Sequence, residues 1–525
     1  MSANRWLAPA LGAFALASPV LALADGDLHK VNHVIVLVQE NHSFDNYFGA
    51  LAYAPGTPYH PAAPSGCAKG DHSCVDGLTC QVDSTGNLSC ANSNLDDDGT
   101  RVTAFHDLNR CVAPDLNHSW YPVHLEANFN NPNATLFDTL SDGFVRVNDA
   151  TEQLDNGIES ATEDETMGFY TQDDLPFYYD LAQKFALGDR YFSSVLGPTF
   201  PNRSYLMAAT SFGHLTTSDT FPPAGGYKPI TGTIFDLLDN GAVTWADYFQ
   251  DAPQGGSFRP FGTTGVDPHF LPLTVLLQQA AGVAGAGPLP QVSFVDPNFG
   301  LTGPASENDE HPPTDIQRGQ AYVSTVINAV RNGPYWNDSI IFITYDEHGG
   351  FYDHVQPPRA RQGAARTPDG ISPGQCADLS NPPASLQPGG GAECATNLLS
   401  KTDTSVLDAE LLCPALTQNP TGPYPAECAS FNQLGFRVPL LVVSPFAKPH
   451  YVSHTDGDHT SLLAFIEKRF LSSAAQGTGE DSTRPHLTQR DLHAHTLEDL
   501  FDFDGAPSRD TVIGQAAPPS TDCTP

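Results

Sequence analysis

The sequence predicts an α/β fold with a mainly parallel central sheet and helices on both of its faces. The first indication is a set of short apolar runs, His33–Val38, Ile340–Ile343 and Val438–Val443, which are typical of strands buried on both faces of a parallel sheet. The second is the amphipathic helical patterns that alternate with such runs. The third is that the runs end abruptly in polar clusters, as expected where the carboxyl edge of an open α/β sheet binds a ligand.

The remaining elements follow the same alternation. Helices are predicted at Leu175–Arg190, Leu271–Ala281, Thr314–Arg331 and Thr460–Phe470, and further strands at Val243–Phe249 and Val292–Val295. The segment Val195–Ser211 runs from a loop into a helix, with Pro201 in the first helical turn.

The charge of the chain limits its partners. Its 525 residues include 60 acidic and 24 basic side chains, which give a formal net charge of −36. Such a surface repels nucleic acid and anionic lipid at neutral pH, so the charge argues against a nucleic-acid partner. A phosphate-bearing substrate must therefore be attracted by a local feature, such as a metal ion or a histidine cluster.

Residues 1–24 have the pattern of a cleavable signal peptide. An apolar run follows Arg5, and Ala22–Ala24 supplies the small-x-small cleavage site. The run is short for a membrane span and is interrupted by two prolines, although an uncleaved anchor is the alternative. We expect a secreted or periplasmic protein without an integral membrane segment, in which residues 25–525 form a single domain.

Ten cysteines fit an exported protein, because disulfides persist in oxidising compartments. Most of them lie in two loop-rich segments, at about 51–112 and 356–432, which are predicted to be disulfide-held insertions. The first contains five cysteines and the second four, which indicates at least one long-range bridge; the pairing cannot be read from the sequence. A zinc site is the alternative, but the spacings match no CxxC pattern.

Polar clusters lie at the predicted ends of strands and helices. Glu40–Asn41 follows the first strand, and Asp346–Glu347 follows the strand that contains Ile340–Ile343. Thr199 lies just before a predicted helix N-terminus, where backbone N–H groups and the helix dipole favour an anion. The histidines that accompany these clusters are His118, His311 and His354.

These residue types suit phosphoryl chemistry. Carboxylate, amide and hydroxyl oxygens are hard ligands that fit a divalent cation such as Mg²⁺, Ca²⁺ or Mn²⁺. A bound dication lowers the pKa of a hydroxyl and neutralises phosphate charge, which makes the Thr199 hydroxyl a candidate nucleophile. Histidines around it are suited to hold non-bridging oxygens and to protonate the leaving oxygen.

Five segments carry a resemblance to a known family. They are His33–Gly49, Gly197–Ser211, His311–Pro313, Tyr345–Val355 and Gly435–Lys448. Their order along residues 31–470 resembles that of the bacterial phosphoesterase family, which includes secreted phospholipases C and acid phosphatases and is similar in fold to alkaline phosphatase.

The resemblance implies a site. The implied metal ligands are Glu40, Asn41, Thr199, Asp346 and Glu347, with a phosphoenzyme formed on Thr199. His118 and His311 are implied to bind the phosphoryl group, and His354 is a further catalytic candidate. His42 stands where the family commonly has Arg.

The predicted function is a secreted, metal-dependent phosphoester hydrolase with a phosphothreonine intermediate, most similar to phospholipase C. The predicted partner is a phosphoester, including phospholipid head groups at a membrane surface. The alternatives are an acid phosphatase acting on phosphomonoesters, a sulfate-ester or phosphonate hydrolase, and a non-catalytic secreted binding protein. A sulfatase would need Cys or Ser in place of Thr199. Substrate preference, the metal, and the roles of His348 and His459 are left open.

Overall fold

An eight-stranded sheet forms the centre of the molecule. In chain order its strands are β1 His33–Gln39, β2 Ala186–Gly188, β3 Trp245–Phe249, β4 Phe270–Pro272, β5 Val292–Val295, β6 Ser339–Tyr345, β7 Leu440–Val443 and β8 Tyr451–Ser453. Across the sheet they are ordered β4-β3-β5-β1-β6-β7-β2-β8, and neighbours are parallel except for the two pairs that involve β7. The predicted α/β class with a mainly parallel sheet is confirmed.

The computed structural model of the chain describes residues 26–517, apart from 113, 132–139, 150–162, 216, 218–225, 263–264, 304–305, 362, 364–367, 371–430, 473–483, 506–507, 510 and 515. The predicted signal peptide and most of the second predicted insertion lie outside the described residues. The cysteines that also lie outside them are Cys376, Cys394, Cys413, Cys428 and Cys523.

The middle of the sheet forms the core. Every residue of β1 and β6 is buried, and the two strands pair from His33 opposite Ser339 to Gln39 opposite Tyr345. Both faces of these strands are covered, which explains why their sequences are continuously apolar rather than alternating. Each buried Val, Ile or Phe side chain there stabilises the fold by about 1.5–3 kcal/mol.

Helices pack around the sheet in two groups. In chain order they are α1 Phe44–Phe48, α2 Trp120–Ala127, α3 Pro176–Lys184, α4 Thr199–Ala208, α5 Ile234–Asn240, α6 Leu273–Ala280, α7 Ile316–Arg331, α8 His459–Ile466 and α9 Gln489–His493. Helix α4 contacts α5 and α8, and α8 contacts α9, whereas α7 contacts α3 and α6. In the described part of the chain, no helix combines the length and apolar character that a membrane span requires.

One predicted helix is shorter than its sequence pattern. The pattern extended it to Arg190, but α3 ends at Lys184 and Phe185 is already extended. The next residues, Ala186–Gly188, form β2 between β7 and β8 and are fully buried there. Pairing within the sheet therefore outweighs the local helical pattern, and Gly188 is a poor helix former in any case.

The first predicted insertion consists of short strand pairs and disulfides. The pairs are His60–Pro61 with Cys74–Val75, Cys80–Val82 with Leu88–Cys90, and Ser93–Leu95 with Arg101–Thr103. Disulfides join Cys67 to Cys74 and Cys80 to Cys90, and Cys111 is also disulfide-bonded. Two further short pairs are Phe105–His106 with Gly168–Phe169 and Tyr191–Phe192 with Gly457–Asp458.

Candidate active site

The carboxyl ends of β1 and β6 place four of the predicted metal ligands at one edge of the sheet. Glu40 and Asn41 follow β1, and Asp346 and Glu347 follow the adjacent, parallel β6. The Asn41 backbone N–H donates to Asp346 Oδ1 at 3.1 Å. At Gly349 a Cβ atom would lie 2.2 Å from the Asn41 carbonyl oxygen, and its φ of 63° also favours glycine. The two loops can therefore lie this close only because residue 349 has no side chain.

Arg203 connects this edge of the sheet to α4. Thr199 is the first residue of α4, directly after the N-cap Pro198, and Arg203 follows one turn later on the same face. The buried guanidinium lies with Nη2 3.0 Å from Glu40 Oε1 and with Nε 3.4 Å from Asp346 Oδ2. These ion pairs hold the N-terminal end of α4, and thus Thr199, against the two acidic loops.

Glu347 is paired with histidines rather than with Arg203. Its Oε1 lies 2.6 Å from His118 Nδ1, and its Oε2 accepts the Gly349 N–H at 2.8 Å. The His118 contact lacks hydrogen-bond geometry, so we treat it as an ion pair between buried groups. Burial acts to raise the pKa of Glu347, but His118 outweighs it and holds that pKa well below its usual range. On the other side, His348 Nε2 lies 2.8 Å from Glu126 Oε2 of α2.

His118 and His311 share one carboxylate. Asp115 Oδ2 lies 3.3 Å from His118 Nε2 and 3.6 Å from His311 Nε2. Burial alone would lower the pKa of both rings, but neighbouring carboxylates outweigh it. Glu347 and Asp115 raise the pKa of His118 well above its usual value, and Asp115 and Glu40 raise that of His311. The surroundings thus favour the protonated, donating form of both rings.

A cavity of about 400 Å³ opens beside these groups. Its described lining residues are Glu40, Asp115, His118, Thr199, Phe200, Thr217, Ala252, Gln254, Phe299, Leu301 and His311. Four residues that the sequence singled out at distant positions therefore meet on one cavity. The lining is polar on the side of the sheet edge and also includes aromatic and aliphatic groups, among them Leu301, which is 62% exposed.

His354 lies in a different cluster. Its Nδ1 is 2.6 Å from Asp45 Oδ2, and its Nε2 is 3.5 Å from Asp76 Oδ1. The fully buried Arg437 binds Asp45 Oδ1 at 3.0 Å and Asp353 Oδ1 at 2.9 Å. His354 is not among the described residues that line the cavity. The structure thus does not bring His354 together with the other predicted catalytic residues.

Two further histidines of the sequence motifs are packed inside the protein. His42 stacks between Tyr47 and Phe351 with ring centroids 4.3 and 4.8 Å away. His459 Nε2 lies 2.6 Å from the backbone oxygen of Asp346. Burial lowers the pKa of both histidines to about 4, so both rings are neutral at neutral pH. His42 therefore has no charge with which to replace the family's Arg, whereas His459 supports the loop after β6.

The donor atoms at the sheet edge fit a hard divalent cation. Asn41 Oδ1 is buried and has no hydrogen-bond partner in the described part of the chain, whereas Glu347 Oε1 faces His118 Nδ1 at 2.6 Å. Leaving a buried oxygen unsatisfied costs about 1–3 kcal/mol, which favours an additional ligand for Asn41 Oδ1. Burial and the nearby Glu40 raise the pKa of Asp346 to about 7, so the negative charge here exceeds what Arg203 neutralises. A separate set of ligand-type atoms, on Asp115, His118 and His311, lies within 4.8 Å of one another.

Two residues of this site were missed by the sequence analysis. Arg203 could have been found, because it follows Thr199 by four residues in a predicted helix and therefore shares its face. Asp115 lies in an irregular loop three residues before His118, where no periodicity indicates which way a side chain points.

Fold and cavity together define an α/β protein with a hydroxyl, a carboxylate and two imidazoles converging at the carboxyl edge of a parallel sheet. The sequence profile of the phosphoesterase family matches residues 31–471. The chain belongs to this family and is, as predicted, a hydrolase of phosphoric ester bonds.

Proteins similar in sequence to this chain include phospholipases C of a plant and a bacterium. A non-specific phospholipase C of Arabidopsis thaliana is 29% identical over 503 residues, which cover 94% of this chain and 74% of that protein. Phospholipase C B of Mycobacterium tuberculosis is 29% identical over 533 residues, 95% of this chain and 84% of that protein. Among solved structures, a member of the alkaline phosphatase superfamily from Vibrio parahaemolyticus shares 11% identity over 57% of this chain and 61% of that chain, with a TM-score of 0.27.

Proposed function

We propose that this chain is an exported, metal-dependent phosphodiester hydrolase of the phospholipase C type that acts through a phosphothreonine. The observation that carries the proposal is that Thr199, Glu40, His118 and His311 line one cavity. The names of the relatives, which match over nearly the whole chain, support the substrate class.

The residues that would hold the cation are Glu40, Asn41, Thr199, Asp346 and Glu347. One of these, Asn41, offers a buried oxygen without a hydrogen-bond partner among the described residues, its Oδ1. A bound divalent cation supplies charge neutralisation for the phosphoryl group and lowers the pKa of a nearby hydroxyl. The oxygen-rich set favours Mg²⁺, Ca²⁺ or Mn²⁺.

The chemical steps are carried by Thr199 and the two cavity histidines. Thr199 loses its proton to solvent, Oγ1 attacks phosphorus in line, and the bond from phosphorus to the leaving alcohol breaks. His118 Nε2 donates to a non-bridging oxygen, while His311 Nε2 gives its proton to the leaving oxygen. Water then attacks phosphorus and returns a proton to His311. The bond to Thr199 Oγ1 breaks, the phosphorylated head group is released, and Thr199 regains a proton.

The apolar part of the cavity favours a lipid as the leaving alcohol. Phe200, Phe299 and Leu301 lie on the same cavity as Thr199, and Leu301 is 62% exposed at its rim. Such side chains suit the glycerol and acyl portion of a phospholipid presented at a membrane surface. An acid phosphatase acting on phosphomonoesters is the alternative, since it would use the same nucleophile and ligands.

Export is part of the proposal and is based on the signal-like pattern of residues 1–24. The charge of −36 suits a soluble exported protein, and disulfides at Cys67–Cys74 and Cys80–Cys90 suit an oxidising compartment. N-terminal sequencing of the protein from the culture medium of its host tests this point. A mature chain that still begins at Met1 and stays in the cytoplasm would contradict it.

The proposal is tested by parallel hydrolysis of p-nitrophenylphosphorylcholine and p-nitrophenyl phosphate, with the metal content measured on the same samples. We expect Thr199→Ala to lower kcat on both substrates by at least about 1000-fold, because the nucleophile is lost. Thr217→Ala is the matched control, since Thr217 lines the same cavity and takes no part in the proposed chemical steps. Acid quenching during turnover should leave phosphorylated Thr199, detectable by mass spectrometry. Unchanged turnover of Thr199→Ala on both substrates would refute the nucleophile assignment.

A further inference from the structure

Asp115 occupies the position that a phosphoryl group would need. The Nε2 atoms of His118 and His311 both lie toward Asp115 Oδ2, at 3.3 and 3.6 Å. Asp115 lines the cavity with a side chain that is 37% exposed. The proposed function uses the same two Nε2 atoms, that of His118 for a non-bridging phosphoryl oxygen and that of His311 for the leaving oxygen. An entering phosphoryl oxygen must therefore displace this carboxylate or lie beside it.

The carboxylate is not fixed by other contacts. Asp115 Oδ1 is buried and has no hydrogen-bond partner among the residues that the structure describes. The two imidazoles are thus its main attachments, and their contacts of 3.3 and 3.6 Å are longer than typical charge-assisted hydrogen bonds of about 2.7–2.9 Å. Asp115 is therefore held loosely enough to yield to a ligand while its charge stays in the cavity.

Asp115 adds negative charge at the place where a substrate phosphoryl group would lie. The described lining of the cavity includes the carboxylates of Glu40 and Asp115 and the imidazoles of His118 and His311, but no lysine or arginine. The Coulomb energy is proportional to the product of the charges, so a dianion is repelled by Asp115 twice as strongly as a monoanion at the same place. A phosphomonoester is a dianion at neutral pH and above, because its second pKa is about 6, whereas a phosphodiester carries a single charge.

We propose that Asp115 is a specificity-determining residue that selects monoanionic phosphodiesters over dianionic phosphomonoesters and weakens the binding of inorganic phosphate. The inference rests on the proposed function and answers a question that the nucleophile and metal ligands leave open, because both reactions use those groups. The apolar side chains of Phe200, Phe299 and Leu301 fit the second ester substituent that a diester carries and a monoester lacks.

The rival interpretation is that Asp115, His118 and His311 form a second cation site, since their ligand-type atoms lie within 4.8 Å of one another. The present contacts favour the first interpretation. Both ring nitrogens of His118 already have partners, since Nδ1 lies 2.6 Å from Glu347 Oε1 and Nε2 lies 3.3 Å from both Asp115 Oδ2 and Asn41 Nδ2. A cation bound to this ring would have to replace one of these contacts.

The test compares Asp115→Asn, which removes the charge but keeps the shape, with wild-type protein at about pH 8, where a phosphomonoester is a dianion. Calorimetric titration with inorganic phosphate and with dimethyl phosphate measures binding separately from turnover. We expect Asp115→Asn to bind phosphate about tenfold more tightly and dimethyl phosphate less than about threefold more tightly. The ratio of kcat/KM for p-nitrophenylphosphorylcholine to that for p-nitrophenyl phosphate should fall by about tenfold.

Two variants serve as controls. Asp115→Glu keeps the charge and should keep the wild-type preference, and Asp173→Asn removes the same charge at an exposed position away from the cavity and should change nothing. Asp115→Ser provides a second neutral variant, so that the result does not depend on the folding of Asp115→Asn alone.

Three results would overturn the inference. An unchanged diester-to-monoester ratio with unchanged phosphate binding would show that Asp115 does not select by charge. An equal gain in affinity for inorganic phosphate and dimethyl phosphate would show that the substitution only removes a steric obstruction from the cavity. Loss of one equivalent of bound metal on Asp115→Asn would assign the cluster to a cation. Absence of hydrolysis by the metal-loaded wild-type protein would instead refute the proposed function, while the binding titrations would still report on Asp115.

Discussion

Two Asp–His clusters lie at the ends of β1 and β6, and they differ in how well their polar atoms are satisfied. Around His354, Asp45 Oδ1 and Asp353 Oδ1 both bind Arg437, and Asp45 Oδ2 binds the His354 ring. Around His118, two buried oxygens lack a hydrogen-bond partner within the described residues, Asn41 Oδ1 and Asp115 Oδ1.

This difference in hydrogen bonding indicates a structural role for the His354 cluster and a binding role for the His118 cluster. Buried polar groups in native proteins are almost always hydrogen-bonded, and an exception calls for a ligand or another function. The His354 cluster needs no addition, and Arg437 lets it join α1, the loop after β6 and the segment before β7. The His118 cluster opens onto the cavity and is incomplete. One sequence motif, Tyr345–Val355, contributes to both: Glu347 contacts His118, which lines the cavity, whereas His354 contacts Asp45.

The largest expected effect contrasts the two halves of that motif. We expect Glu347→Gln to lower kcat by at least about 1000-fold and to reduce bound metal, because the proposed cation site would lose a charged ligand. His354→Gln should lower kcat by less than about tenfold and leave the metal content unchanged, because His354 contacts Asp45 and Asp76 rather than a residue of the cavity. Steady-state kinetics and elemental analysis of both variants measure this. A collapse of kcat in His354→Gln, at wild-type metal content and melting temperature, would restore the catalytic role that the sequence predicted.

The sequence predicts those features of the site that depend on residues close by in the chain. Glu40, Asp346 and Glu347 follow long apolar strands directly, and Thr199 precedes a recognisable helix, so their placement was predictable from neighbouring residues. The position of His354 depends on a loop that turns at Gly349–Gly350 and whose Asp353 pairs with Arg437, 84 residues away in the sequence. Such a contact between distant residues leaves no periodic pattern in the sequence.

The same limit applies to the sheet. Strands β1, β5 and β6 were predicted because their apolar runs are four to seven residues long. Strands β2, β4 and β8 have three residues each and were missed, since so short a run is specified by the strand it pairs with. β4 was assigned to the start of a helix, and β2 to the end of one, for that reason.

A smaller expected effect concerns stability. Arg437→Met should lower the free energy of unfolding by about 3–5 kcal/mol, because it removes the cation that pairs with the buried carboxylate of Asp353 and leaves Asp45 with His354 alone. Urea denaturation measures the change, and Arg509→Met, at an exposed position, should be within about 0.5 kcal/mol of wild type. A loss below about 1 kcal/mol in Arg437→Met would show that the cluster is not a structural one.

The smallest expected effect is a pH dependence that belongs to His354. Burial acts to lower the pKa of this ring, but Asp45 outweighs it and raises the pKa to about 10, against 6.5 for a free imidazole. Because the folded pKa is the higher one, the stabilisation is complete below pH 6.5 and is lost as the pH rises through about 10.

We therefore expect the stability difference between wild type and His354→Gln to shrink by about 2 kcal/mol between about pH 6.5 and 10. The change is smaller than the full shift implies, because the side chain is 23% exposed and Arg437 still pairs with Asp45 after His354 loses its proton. Urea denaturation of both proteins at several pH values measures it, and other titrating histidines such as His348 cancel in the difference. A difference that stays constant or grows with pH would mean that His354 is neutral in the folded protein and that the His354 cluster is not held together by charge.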